Sequence, residues 1–353
     1  MTLGSPDQVT GGYLYHRRLA DAGPEHGAEI RFISFPDRPF LAGARCVNDV
    51  IARARSPGAD LIVIDSIAAG LVAPWLRTHR LDLPMVAIMH QPPGGIDHGR
   101  VLTRFRAALD RSTYRRAWRL LAASQALADD LVSLGFPRAR IRVVPPGRDV
   151  APVPEGPTED IRGECGVAFL CVGNWVERKG ILPLLDAFAR LPCEAGILHL
   201  VGGQDRDPGY AARVRARVGE ADLSRRVVAH GPVTKQRVAA FYAAADVFVL
   251  PSWKEPYGTV YGEAMAAGLP VVGWRAGNLV NLAEDGRQGA LVRPGDVDGL
   301  AAAMRRLALD DVYRLRLASS ARQRARSLPT WQDTARLFFS NLREVLDEWE
   351  TVG

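Results

Sequence analysis

Two glutamates, Glu255 and Glu263, stand with seven residues between them in the segment PSWKEPYGTVYGEAMAAGLPVVGWRAG, Pro251 to Gly277. The apolar run Val247 to Leu250 ahead of them reads as a buried strand that Pro251-Ser252 ends. From about Thr259 to Ala267 the composition turns helical; Gly268 and Pro270 stop that helix, and Val271 to Trp274 begins the next strand. The strand therefore delivers Glu255 and Gly258 to a helix N-terminus, where unbonded N–H groups and the helix dipole favour an anion. Gly258 lets backbone approach a ligand closely. Glu263, just over a turn into the helix, can reach the same ligand that Glu255 touches from the loop.

This segment resembles the signature of family 4 glycosyltransferases, retaining nucleotide-sugar enzymes of the GT-B fold. Their C-terminal domain carries Glu, seven residues, Glu, then a helix, a Gly and a Pro-Val-Val strand, and here AMAAGLPVVGWRAG follows Glu263. A bare pair of glutamates at this spacing is common on solvated surfaces. It is the agreement of the whole strand-loop-helix-strand context that carries the resemblance.

The resemblance extends upstream. Val167 to Gly173 reads as a strand, followed by Asn174-Trp175-Val176-Glu177-Arg178-Lys179-Gly180 and a helix from Leu182 to Arg190. The family pattern is Gly-Arg, a few residues, then Lys-Gly, and its Arg and Lys clamp the donor diphosphate. Lys179-Gly180 matches; Asn174 stands where the Arg is usual, and Arg178 is the candidate to supply the charge. Ile197 to Gly203 is a strand with a Gly-rich exit, and Gly202 corresponds to the turn beneath the nucleotide. Val227 to Val233 is another strand and its exit loop, with Val233 and Lys235 as candidates to cradle the base, while His230 reads as structural. Tyr257, Gly258, Thr259 and Val260 complete the donor set that the resemblance implies. Gly277 to Asn281 departs from the family's usual Gly-Gly and Glu. Gly286 to Pro294 reads as a hairpin and Asp296 to Leu309 as a helix.

In the first half only Met1-Thr2-Leu3-Gly4 precede Ser5-Pro6-Asp7, which makes the first strand very short and suggests a truncated or misassigned start. Gly11 and Gly12 open a helix from about Tyr13 to Ala22. Glu29 to Phe35 and Leu61 to Asp65 read as strands, and Ala73 to His79 as helix. Pro84 to Met89 is a buried parallel strand ending at His90, and ligands of such sheets bind at strand carboxyl ends. The resemblance places Gly11 and Gly12 near the donor phosphates and the acceptor, and His90 at the donor sugar. Gly99 to Arg119 holds seven arginines with an apolar side of Val101, Leu102, Phe105, Leu109 and Trp118. A surface helix in an Arg-rich chain is the plainer reading; peripheral contact with an anionic membrane through 99–119, or reception of a phosphorylated acceptor, stays open beside it.

At 353 residues the chain is long enough for two domains. Hydrophobic content of 47% with 24% charged residues is that of a soluble globular protein. No apolar run approaches membrane-spanning length and the start lacks a signal pattern. Cys46, Cys165, Cys171 and Cys193 show no metal-ligand spacing and read as reduced thiols of a cytoplasmic, bacterial protein. Net charge is +6 with only three lysines, Lys179, Lys235 and Lys254. That balance fits anionic ligands, and no nucleic-acid-binding motif is present.

Two successive runs of alternating strands and helices argue two doubly wound α/β domains. The Pro-rich stretch Pro145 to Pro157 is the linker. The resemblance makes these the two Rossmann-like domains of a GT-B enzyme facing a central cleft. Residues 1–148 form an acceptor-side domain, with an amphipathic C-terminal helix over 331–353 crossing back to it, and 149–330 bind the nucleotide sugar.

The function implied is retaining transfer of a hexose-type sugar from a UDP- or GDP-sugar to an acceptor, which is a small molecule, a lipid carrier or a glycan. Glu255 holds sugar hydroxyls and Glu263 the ribose, and the donor phosphate helps deprotonate the acceptor. No cofactor is implied beyond the nucleotide sugar as co-substrate. No Asp-x-Asp motif stands where a metal would be needed, so no metal is expected. A GT-B nucleotide-sugar epimerase that recruits His90 and Glu255 is an alternative, and so is a non-catalytic nucleotide-sugar-binding protein.

Overall fold

The computed structural model describes residues 1–5, 11–37, 40–96, 99–148, 160–162 and 166–352. The linker lies outside the described residues from Asp149 onward, as does Cys165. The chain divides into two compact units, Met1–Gly147 with Pro329–Gly353, and Arg148–Leu328.

The first unit contains β1 (Thr2–Leu3), α1 (Gly11–Ala22), β2 (Ser34–Phe35), α2 (Phe40–Ala44), α3 (Val47–Ala54), β3 (Ile62–Asp65) and α4 (Ser66–Thr78). It continues with β4 (Met85–Met89), α5 (Arg100–Arg116), β5 (Arg119–Ala122), α6 (Gln125–Ser133) and β6 (Ile141–Val143). Strands β3 to β6 form a parallel sheet in that order. The parallel pair β1–β2 joins it through Met1, whose ammonium donates to Val63 O while its carbonyl accepts from Asp65 N. The order is thus 2-1-3-4-5-6, with the topological switch between β1 and β3, where α/β sheets bind ligands.

The second unit contains β7 (Val167–Val172), α7 (Ile181–Ala189), β8 (Gly196–Val201), α8 (Pro208–Val218), β9 (Val227–Gly231), α9 (Lys235–Ala244) and β10 (Val247–Val249). Then come α10 (Thr259–Ala267), β11 (Val271–Trp274), α11 (Leu279–Leu282), β12 (Gly289–Val292), α12 (Val297–Leu309) and α13 (Asp311–Arg326). All six strands are parallel, in the order β12-β11-β10-β7-β8-β9. That is the doubly wound dinucleotide-fold order, with its switch between β7 and β10. Phe169, Leu170, Leu198, Val247, Phe248 and Val271 are fully buried in its core, as a parallel sheet covered on both faces requires.

The last helix, α14 (Trp331–Val352), belongs to the first unit. Phe338, Phe339 and Val345 bury against Tyr15, Leu19, Val86, Ile88 and Leu121, each burial contributing roughly 1.5–3 kcal/mol. At its other end the buried Arg119 donates to Glu344 and Glu348, and Trp118 Nε1 donates to Glu348.

Three expectations are corrected. The strand expected over Glu29–Phe35 forms only at Ser34–Phe35, because β1 offers two residues to pair with. The hairpin expected over Gly286–Pro294 is instead a tight turn, Gly286 N donating to Gly289 O, leading into β12, which runs parallel to β11. The helix expected over Ala73–His79 begins at Ser66, because Asp65 Oδ1 caps it by accepting from Ile67 N.

Candidate active site

The signature loop of the second unit is held by backbone geometry that admits only glycine at several points. Gly258 is left-handed (φ 85°), and a Cβ on it would lie 2.7 Å from the Tyr261 ring. It precedes α10, whose first turn carries no side-chain cap among the described residues. The N–H groups at Thr259 and Val260 therefore begin a helix with its positive end open to a ligand.

Lys179 follows β7 and Glu255 follows β10, the two strands that flank the switch. Lys179 Nζ donates to Glu255 Oε2 at 2.5 Å, and both side chains are largely buried. Arg178 Nη1 lies 3.9 Å from the same carboxylate oxygen and donates to Lys254 O. Ser252 Oγ donates to Arg178 O and also lies 3.4 Å from Glu255 Oε2. Gly180, left-handed at φ 68°, lets these two exit loops meet, since a Cβ there would lie 2.1 Å from Pro251 O. A lysine, an arginine and an uncapped helix start thus converge where an anion would rest, with a carboxylate among them that can accept hydroxyl donors.

Glu263, one turn into α10, accepts from Tyr242 OH at 3.0 Å. Burial, reinforced by that carboxylate, holds the Tyr242 phenol well above its ordinary range, so it stays a donor. Tyr257 is pushed up to about 12 by burial, and its carbonyl accepts from Asn278 Nδ2. Val233 packs against the core from the β9 exit, and Lys235 is the exposed first residue of α9. Gly202 answers a packing need: a Cβ there would lie 2.0 Å from Gly173 O.

In the first unit, Gly12 lies against His90, with the position of a Cβ on Gly12 3.5 Å from His90 Cδ2. Gly11 is the first residue of α1. His90 N donates to Ser66 Oγ. The His90 ring packs edge-on against Tyr15 and His16, with centroids 4.8 and 5.0 Å away. His16 Nε2 and Asp65 Oδ2 are 2.6 Å apart and buried. Burial pushes the Asp65 carboxyl up, but His16, His90 and the Ile67 amide together hold it well below the usual carboxylate range. Burial pushes His90 down to about 4, partly offset by Asp65, so its ring is neutral at pH 7.

Residues 13–151 match the family described as Glycosyltransferase Family 4, and residues 166–310 that described as Glycosyl transferases group 1. A D-inositol 3-phosphate glycosyltransferase of Xylanimonas cellulosilytica is 32% identical over 286 residues, which is 74% of this chain and 67% of that one. The chain belongs to glycosyltransferase family 4.

The matches span about half to two thirds of the length of these curated family 4 relatives. Sucrose-phosphate synthase of Thermosynechococcus elongatus superposes with a TM-score of 0.82 at 22% identity, covering 98% of this chain and 99% of that one. Anabaena HepE in complex with UDP-glucose superposes with a TM-score of 0.80, at 22% identity, over 97% and 98% of the two chains. The family 4 chain therefore has the GT-B fold.

Within each unit the expected residues are neighbours: Lys179, Arg178 and Glu255 in one, Gly12 and His90 in the other. Two departures from the family 4 pattern have structural uses. Asn174 Oδ1 accepts from Gly203 N, tying the β7 and β8 exits together. Asn278, in the altered 277–281 segment, donates from its backbone N to Glu255 O and from Nδ2 to Tyr257 O. It clasps the signature loop from behind, and Asn281 braces it by donating to Asn278 Oδ1. Sequence reasoning missed Asn278, His16 and Asp65. Asp65 had a signal, a carboxylate at the end of an apolar strand run; His16 and Asn278 had none without the topology.

Proposed function

We propose that the chain is a retaining, metal-independent hexosyltransferase that takes its sugar from a nucleotide-diphosphate donor bound by the second unit. The observation that carries this reading is the Lys179–Glu255 pair at the switch between β7 and β10, beside the uncapped start of α10.

When the bond from the anomeric carbon to the donor phosphate breaks, negative charge grows on the departing diphosphate. The Lys179 ammonium, the Arg178 guanidinium and the first N–H groups of α10 are fixed positive ends for that charge, each worth about 3 kcal/mol when strongly engaged. This supply of charge is why no metal is invoked. Glu255 exchanges part of its contact with Lys179 for sugar hydroxyls, and Glu263 takes the ribose hydroxyls. In the first unit, His90 is assigned the transferred sugar and the surrounding loops the acceptor, a small molecule, lipid carrier or glycan.

A uridine donor is favoured by the UDP-glucose that HepE holds in its complex. The plainer reading of α5 is a surface helix; peripheral membrane contact stays open beside it through the outer face, where Val101, Leu102 and Phe105 are exposed among arginines. Among the described residues no helix is long and apolar enough to cross a membrane.

The test is a thermal-shift screen against UDP-, GDP- and ADP-sugars, followed by donor turnover and the anomeric configuration of the product. A ligand at 100 times its Kd adds about 2.7 kcal/mol to stability, a readable shift. Failure of every nucleotide sugar to raise Tm would overturn the donor assignment. Release of an epimerised nucleotide sugar from donor alone would replace transferase by epimerase.

A further inference from the structure

Three side chains from three elements meet beside the switch of the first unit. His16 comes from α1, Asp65 ends β3 and His90 follows β4. One ligand atom from each lies within 4.8 Å of the others. His90 Nε2 is buried and has no hydrogen-bond partner among the described residues. A buried ring nitrogen left unpaired is costly, of order 1–3 kcal/mol, and such an atom in a native structure calls for an explanation. Asp65 is oriented from behind by Ser66 Oγ and Ile67 N, both donating to its Oδ1, which leaves Oδ2 to His16.

We propose that His16, Asp65 and His90 form a binding site for a divalent transition-metal ion of the zinc type, and that its occupation inhibits the enzyme. Two imidazoles and one carboxylate with open positions match Zn²⁺ in both softness and number, whereas Mg²⁺ and Ca²⁺ prefer oxygen-only sets. Ligand atoms about 2.0–2.2 Å from a tetrahedral ion stand roughly 3.4 Å from one another, so a pair at the full 4.8 Å closes by about 1.4 Å through ring rotation. His16 Nε2 gives up its bond to Asp65 Oδ2 and coordinates, its ring proton moving from Nε2 to Nδ1. The hydrogen bonds to Asp65 Oδ1 are the outer support that metal-bound carboxylates require.

The inhibition rests on the reading that His90 serves the transferred sugar; the binding does not. An ion drawing the His90 ring toward His16 and Asp65 takes it off the face of Gly12.

Co²⁺ is the direct probe, titrated into EDTA-dialysed full-length protein and followed by its visible d–d absorption, with Zn²⁺ competing. One equivalent is expected to bind. His16→Asn should weaken binding at least tenfold, while His199→Asn, which breaks the His199–His230 pair of the second unit, should leave it unchanged. His16→Asn removes no helix cap, and circular dichroism verifies that it folds. No visible band, or a band kept by His16→Asn and lost in His199→Asn, would overturn the site. Zn²⁺ should also suppress donor turnover reversibly, with EDTA restoring it. Stoichiometric binding with turnover unaffected would overturn the inhibitory role and the His90 assignment together, and leave the metal site standing.

Discussion

Lys179 and Glu255 are 76 residues apart in sequence and joined by a 2.5 Å ion pair, with side chains 10% and 14% exposed. They leave the two adjacent strands between which the sheet order reverses, so the pair is a product of topology as much as of motif. Each charge is the other's nearest compensation, and neither can be removed without leaving a partly desolvated ion.

Removing either should therefore separate two kinds of donor affinity. Lys179→Ala is expected to weaken UDP and UDP-sugar alike and to lower turnover at least 100-fold, about 3 kcal/mol. Glu255→Ala should leave UDP binding within a few-fold and abolish the extra affinity contributed by the sugar. Titration calorimetry of each variant with UDP and with UDP-glucose reads both, and equal losses on the two ligands for Glu255→Ala would refute its assignment to sugar hydroxyls.

Tyr242 offers a test of the ribose assignment at one remove. Tyr242→Phe deletes the phenol O–H that donates to Glu263 Oε2 and also lies 3.3 Å from Val260 O, at a stability cost of about 1 kcal/mol. Glu263 then has more rotamers, and KM for the donor should rise several-fold with kcat nearly unchanged. A fall in kcat with KM intact would point away from ribose.

Gly180 and Gly286 share a left-handed backbone and differ in their surroundings. A Cβ on Gly180 meets Pro251 O at 2.1 Å, whereas one on Gly286 meets nothing within 4 Å. Gly286→Ala should cost only its backbone strain, about 1 kcal/mol. Gly180→Ala must also part the β7 and β10 exit loops and should cost upward of about 3 kcal/mol with loss of donor binding. Urea unfolding of the two variants makes the comparison, and near-equal losses would count against it.

Asp110 should give the stability curve a signature. It is buried on α5, accepts from Gly94 N, and burial pushes its carboxyl up to about 6 from an ordinary 3.8. A raised carboxyl binds its proton more tightly folded than unfolded, so it favours folding at low pH. That contribution falls as pH rises from about 4 to about 6 and is flat above. Relative to Asp110→Asn, the natural protein should lose up to about 3 kcal/mol between about pH 4 and pH 7, at about 1.4 kcal/mol per unit. Urea midpoints across that range check it, and a constant difference would show that Asp110 is not buried as an acid.

The second unit was readable because its signals are local. A buried strand, a Gly-marked turn and a helix start recur within short windows, and β11 and α10 came out with their full bounds. Long-range consequences were not readable. Whether Gly289–Val292 pairs back on itself or joins β11 is decided by which strand edge is open, and that edge is made by residues far away. α13 went unseen because its buried positions Leu317, Ala321 and Ala325 are mostly alanines amid arginines, a weak apolar stripe. His16 looked like any polar residue of an amphipathic helix until α1 was set against β3.

Because α14 supplies part of the first unit's core, that unit is interrupted by the whole of the second. Arg119 waits for Glu344, 225 residues later. At a synthesis rate of about 5–20 residues per second, the faces of Tyr15, Leu19, Val86 and Ile88 that α14 covers stay bare for roughly 10–40 s while Arg148–Leu328 is made. The second unit, continuous in the chain, has everything it needs to fold first. Of the two units, the one begun first is thus the one finished last.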